Sequence, residues 1–318
     1  MNLRIRPVIL VAIFIAIAGG AYVVNNMSRN SETITVSGAF ALYPLMVGWA
    51  DEYQTTHRGI KIEVSAGGAG KGMTDALSGL VDLGMVSREI YAEEVAKGAV
   101  WVAVARDAVV VTVSDDNPVL EELMAQGVTP SLLRKVFITG EMTTWGQIVD
   151  RPDVTDVIDL YTRSDACGAA ATFAEYLGYY QEDLLGVGVF GDPGLAEAVN
   201  SDSLSLGYNN VNYAYDIETG KPVDGVRVVP LDINEDGVIS QEEDFYSNRV
   251  TMIEAIASGS YPSPPSRDLN LVTKEKFRGI VIDFVRWILT DGQESAVTAG
   301  YVPISPERRA QELAKLGS

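Results

Sequence analysis

Between residues 33 and 86 the chain alternates strand-type and helix-type patterning so regularly that few architectures can absorb it. Residues 33–37 (Thr-Ile-Thr-Val-Ser) alternate with period two. Across 42–53, Leu42, Leu45, Met46, Trp49 and Tyr53 form one helical face, and Pro44 suits a first turn. A strand follows at 60–64, then a helix through Met73, Ala76 and Leu77 to Leu80, then a strand at 81–86. Strand–helix–strand–helix–strand is the pattern of a doubly wound α/β sheet. Such sheets bind ligands outside the carboxyl ends of their strands. Phe40 and Ala41, Gly67 and Gly68, and Ser87 all fall there.

A related arrangement recurs further on. A β-prone run at 157–161 leads to Arg163, and Asp165, Cys167, Gly168 and Ala169 then open an Ala-rich helix. Small side chains leave the N–H groups of a first helical turn approachable, and the helix dipole favours an anion there. Arg163 adds a planar fork of donors. The stretch fits half of an oxyanion clamp; it equally fits an ordinary strand–turn–helix with a surface Arg. The glycine loop at 65–72 is no nucleotide-phosphate loop: Ser65 stands where the first Gly belongs, and Gly72 replaces the hydroxyl that would hold magnesium.

Composition removes other classes. A net charge of −19 supplies no basic stripe for nucleic acid. With one Cys and one His, neither an internal disulfide nor a His/Cys metal cluster is possible. His57, in a polar turn-like stretch, reads as a solvated turn residue. No nucleophile–base pair stands out, so no enzyme is expected; Cys167 reads as a small residue lining the site. Arg4 and Arg6 precede an apolar run at 8–24, which reads as a membrane-anchoring helix with the remainder outside the cytoplasm.

Asp232-Ile-Asn234-Glu-Asp236-Gly237-Val238-Ile-Ser240-Gln-Glu-Glu243 matches the twelve-residue calcium loop at positions one, three, five, six, nine and twelve. Asp232, Asn234, Asp236, Ser240 and Glu243 would give side-chain oxygens, and Val238 a carbonyl. A strand-like segment precedes it, so a structural Ca2+ is expected rather than a paired regulatory site. No organic cofactor is expected.

Several ordered segments together resemble the phosphate-binding proteins of ABC-type phosphate importers, within the bilobal periplasmic-binding-protein superfamily. They are Gly38-Ala-Phe40-Ala41-Leu-Tyr-Pro44-Leu45, Ala66-Gly67-Gly68-Ala-Gly70, Asp82-Leu-Gly-Met-Val-Ser87-Arg88, Val136–Gly140 with Trp145, Thr162-Arg163-Ser-Asp165-Ala-Cys167-Gly168, and Ser260-Tyr-Pro262 with Arg267. The resemblance implies two doubly wound α/β lobes joined by two crossover strands. Residues 1–32 would be anchor and linker, 33–115 with 262–318 the first lobe, and 116–261 the second, carrying the loop at 232–243. The expected crossovers lie at the polar break 114–118 and the Pro/Gly/Ser-rich joint 259–265.

By the same resemblance, Phe40, Ala41, Gly67, Gly68 and Ser87 would face Arg163, Asp165, Cys167, Gly168 and Ala169 across one anion, Asp165 holding Arg163 in place. The chain departs from the family at Gly68, Cys167 and Ala169, where hydroxyls are common, while Ser87 stands where the family uses a Ser or an Asp. The implied partners are phosphate and importer membrane subunits; the apolar run at 8–24 adds the membrane, and a monomer is expected. Sulfate, molybdate or tungstate is the alternative ligand, and a calcium-dependent surface adhesion protein the alternative class.

Overall fold

The computed structural model describes residues 32–317. The apolar run at 8–24, and the anchor expected of it, lie outside the described residues. Among the described residues no helix is long and apolar enough to cross a membrane.

The described strands are β1 (Glu32–Gly38), β2 (Ile60–Ala66), β3 (Leu83–Val86), β4 (Ala99–Ser114), β5 (Asp159–Arg163), β6 (Val187–Val189), β7 (Ser205–Asn210), β8 (Val226–Val229) and β9 (Ser266–Lys274). They form one path, β2-β1-β3-β9-β4-β7-β5-β6, with β8 on β4. At one end β1 lies parallel between β2 and β3; at the other, β5 lies parallel between β6 and β7. The strands between them are antiparallel. Each parallel set needs helical crossovers, which explains the helix patterns between its strands.

Two buried cores result. One gathers Ile34, Trp49, Met85, Leu271 and Phe284; the other gathers Val110, Phe137, Trp145, Phe173 and Tyr208. The indole of Trp49 is fully buried and donates Nε1–H to the Gly292 carbonyl at 2.6 Å, tying the C-terminal helices to the first core.

β4 belongs to both cores. It pairs with β9 as far as Ala108, opposite Ser266, and from Val109, opposite Asn210, it pairs with β7. The chain therefore changes lobe inside an unbroken strand, ahead of the polar break at 114–118. Arg106 and Asp107 interrupt the apolar run directly before the exchange, but a charged pair inside a strand does not say which strand lies opposite it.

Candidate functional site

The two parallel strand sets turn their carboxyl ends toward each other. Arg163 is the last residue of β5, and its side chain is fully buried. Strand alternation sends Thr162 the other way, where its hydroxyl meets Tyr208 Oη at 2.8 Å. Arg163 Nε and Nη2 donate to the Asp165 carboxylate at 2.9 and 2.7 Å. Asp165 also accepts the Gly191 N–H at 3.1 Å. The sequence-expected pairing of Arg163 with Asp165 is thus present as a two-toothed ion pair, the geometry that fixes a guanidinium plane.

Cys167 caps the Gly168–Leu177 helix. Its backbone is extended and its Sγ accepts the Ala170 N–H at 3.4 Å, while its own N–H goes to Gln181 Oε1 at 3.1 Å. Gly168 and Ala169 follow as the buried first turn. Burial pushes the Cys167 thiol up to about 12, against the pull of Arg163. A thiol held neutral is neither a nucleophile nor a metal ligand at neutral pH. Cys167 should therefore resist a disulfide-exchange reagent such as DTNB at pH 8 in the folded protein and react fully in guanidinium. Rapid reaction of the native protein would contradict this burial.

On the facing lobe, the Phe40 ring sits 5.6 Å from the Arg163 guanidinium and edge-on to Phe190 at 6.0 Å. The Phe40 carbonyl accepts the Tyr213 hydroxyl at 3.2 Å, and the buried Ala41 carbonyl accepts Tyr301 at 2.8 Å. Ser87, at the end of β3, is buried against Gly168.

Gly67 and Gly68 differ from expectation. Both donate their N–H groups to the Gly38 carbonyl, at 2.9 and 3.1 Å, and Gly70 donates to the Ala166 carbonyl of the other lobe at 3.0 Å. These donors are spent on closing the loop and joining the lobes. Lys71 pairs with Asp75, four residues on. What Gly68 contributes is space: a Cβ there would lie 2.8 Å from Asp165 Oδ2 and 2.9 Å from the Ala166 carbonyl.

Sequence reasoning missed four partners. Asp192, in the first turn of the Gly191–Asn200 helix, places Oδ2 2.7 Å from Arg163 Nη1 and accepts Asn210 Nδ2–H at 2.5 Å. Arg267 is also buried, donating to the Gly168 carbonyl at 2.9 Å and to Asn210, with Asp107 at 3.7 Å. Arg267 closes one of the matching segments above, but nothing local showed that β9 would carry it under the Gly168 helix. Burial raises the Asp107 carboxyl to about 6, opposed by Arg267. Burial likewise raises Asp192, opposed by Arg163 and Arg267. An Asp in Phe190-Gly-Asp-Pro reads as a turn residue, so only the fold reveals that Asp192 meets Arg163.

Buried guanidinium groups, a neutral cysteine cap and opposed helix N-termini can hold and desolvate a small anion. The arrangement is that of two α/β halves whose parallel strands end against each other at Arg163. The chain belongs to the PBP superfamily, whose domain model matches residues 24–292. It is 26% identical to the phosphate-binding protein PstS of Methanocaldococcus jannaschii, over 98% of this chain and 91% of that protein. It is 25% identical to the PstS of Bacillus subtilis, over 87% and 82%. The fold is that of an ABC-type phosphate transport receptor from Vibrio cholerae (TM-score 0.62, 19% identity, 85% of this chain and 100% of that one).

Proposed function

We propose that this chain is an extracytoplasmic binding protein that captures inorganic phosphate between its lobes and delivers it to the membrane subunits of an ABC importer. The observation that carries the reading is the fully buried Arg163, oriented by Asp165 where the two lobes meet. The PstS relatives give the anion its identity. A buried, pre-aimed guanidinium interacts with an anion far more strongly than a solvated one, because no water competes for it. The N–H groups of the Gly168 turn and of Phe40–Ala41, with the Ser87 hydroxyl, complete the enclosure. The chain acts as a monomer held at the membrane by residues 8–24, and performs no chemistry. Titration calorimetry with phosphate, sulfate, molybdate and tungstate tests the assignment; tight sulfate binding without phosphate binding would overturn it.

The loop at 232–243 binds one structural Ca2+ in the same reading. Gly237 takes the left-handed conformation (φ 81°) that the sharp turn requires. Asp232 and Glu243 are buried, their carboxylates turned onto the loop's own N–H groups: Gly237 on Asp232 at 2.8 Å, Ile233 on Glu243 at 2.9 Å. Among the described residues no group of three His, Cys, Asp or Glu side chains converges to hold a metal. Calcium must therefore turn the carboxylates inward. At about a hundred times its dissociation constant, calcium would add about 2.7 kcal/mol to stability. The thermal midpoint should rise with calcium over EDTA, and Glu243→Gln should abolish the rise while phosphate affinity stays within about twofold. An unchanged midpoint in the parent protein would refute the site.

A further inference from the structure

Arg163 is already compensated without any ligand. It is ion-paired with both Asp165 and Asp192, and Arg267 lies 3.7 Å from Asp107. A site whose positive charge is already matched attracts an anion less than its arginines alone would suggest.

The matching is uneven around Arg163. Asp165 takes the Nε–Nη2 edge of the guanidinium with two well-aligned hydrogen bonds. The other edge, Nη1–Nη2, is the one left for an oxyanion to engage with two oxygens. There Asp192 Oδ2 stands 2.7 Å from Nη1, yet Nη1 makes no properly directed hydrogen bond and is fully buried. Asp192 thus compensates Nη1 through Oδ2, while its Oδ1 accepts Asn210 Nδ2–H at 2.5 Å. The other charged or titratable groups near Asp192 are Arg267, Asp107, Asp165, Cys167 and Tyr213.

We propose that Asp192 is a built-in competitor of the bound anion, occupying the edge of Arg163 that an oxyanion oxygen must take and thereby weakening anion capture. The proposal rests on the oxyanion reading above. A ligand oxygen on Nη1 would have to share that nitrogen with the Asp192 carboxylate, and like charges in a desolvated site repel strongly. The carboxylate keeps Arg163 compensated when no anion is held, and it opposes the anion when one arrives.

The test is titration calorimetry with inorganic phosphate at pH 7.5 on the full chain and on Asp192→Asn. The amide retains the size of the carboxylate and an oxygen for Asn210 while removing the charge. Asp192→Ser, smaller and neutral, carries the same expectation should the amide not fit beside Asn210, and circular dichroism checks that each variant folds. Neutralising position 192 should tighten phosphate binding by at least about tenfold, and sulfate binding should strengthen with it. Equal or weaker phosphate affinity in folded variants, beside a parent protein that binds phosphate, would overturn the role of Asp192 alone. A parent protein that takes up no phosphate overturns the oxyanion reading and the proposal with it.

Discussion

Arg163→Ala should weaken phosphate binding by about 2–5 kcal/mol, or about 30- to 5,000-fold in Kd. The guanidinium is the group whose charge reaches the lobe interface fully buried, and its plane is set by Asp165. The substitution also strands Asp165 and Asp192, both of which now neutralise it. Leaving a buried charge without its partner costs about 3–5 kcal/mol of stability. Urea unfolding and calorimetry on the same preparation separate the two losses. Arg163→Lys sharpens the comparison, because an ammonium keeps the charge but cannot span Asp165 with two parallel bonds. It should recover part of the stability and little of the affinity. Affinity unchanged in a folded Arg163→Ala protein would remove Arg163 from the site.

Gly168→Ala should lower stability and also harm capture. A Cβ at position 168 would fall well inside 3 Å of both Ser87 Oγ and the Ser87 carbonyl oxygen, which belong to the other lobe. One of these is backbone, so neither a rotamer change nor a small side-chain shift relieves the contact. Gly168 opens its helix in a conformation that alanine adopts readily, and alanine is the better helix former by up to about 1 kcal/mol. The contact with Ser87 outweighs that gain, so the thermal midpoint should fall. Closure of the lobes should suffer an overpacking cost of about 1–3 kcal/mol, or about 5- to 150-fold in Kd. Wild-type affinity in Gly168→Ala would mean that the anion is held without this approach of Gly168 to Ser87.

Much of this architecture is legible in the residues, and the reason is locality. The period-two run before Gly38, the apolar face of Leu45, Met46, Trp49 and Tyr53, and the small residues after Arg163 each act within one or two turns of chain. Elements built that way appear where the patterns put them. The lobe exchange was not legible because β4 runs on as one strand past Arg106 and Asp107, and what changes there is the strand opposite it.

The candidate site divides along the same line. Arg163, Asp165, Cys167 and Gly168 are neighbours in sequence, so their chemistry is visible as one motif, and the Arg163–Asp165 pair forms between residues two apart. The availability of a donor is a different kind of property. Gly67 and Gly68 looked like open N–H groups, yet the Gly38 carbonyl takes both, because β1 and β2 end side by side. Asp192 is remote from Arg163 in sequence, yet the Gly191–Asn200 helix sets it on Arg163.

The residues alone thus determined the alternation of strands and helices, the strand ends where a ligand would sit, and the one Arg flanked by small residues. Backbone propensity, side-chain period and capping are short-range effects that a linear string carries in full. The tertiary structure decided which of those donors are already engaged, which carboxylates share Arg163, and how near Gly168 comes to Ser87. Those outcomes depend on burial and on pairs formed between distant segments, where removal of water turns a modest charge contact into a governing one.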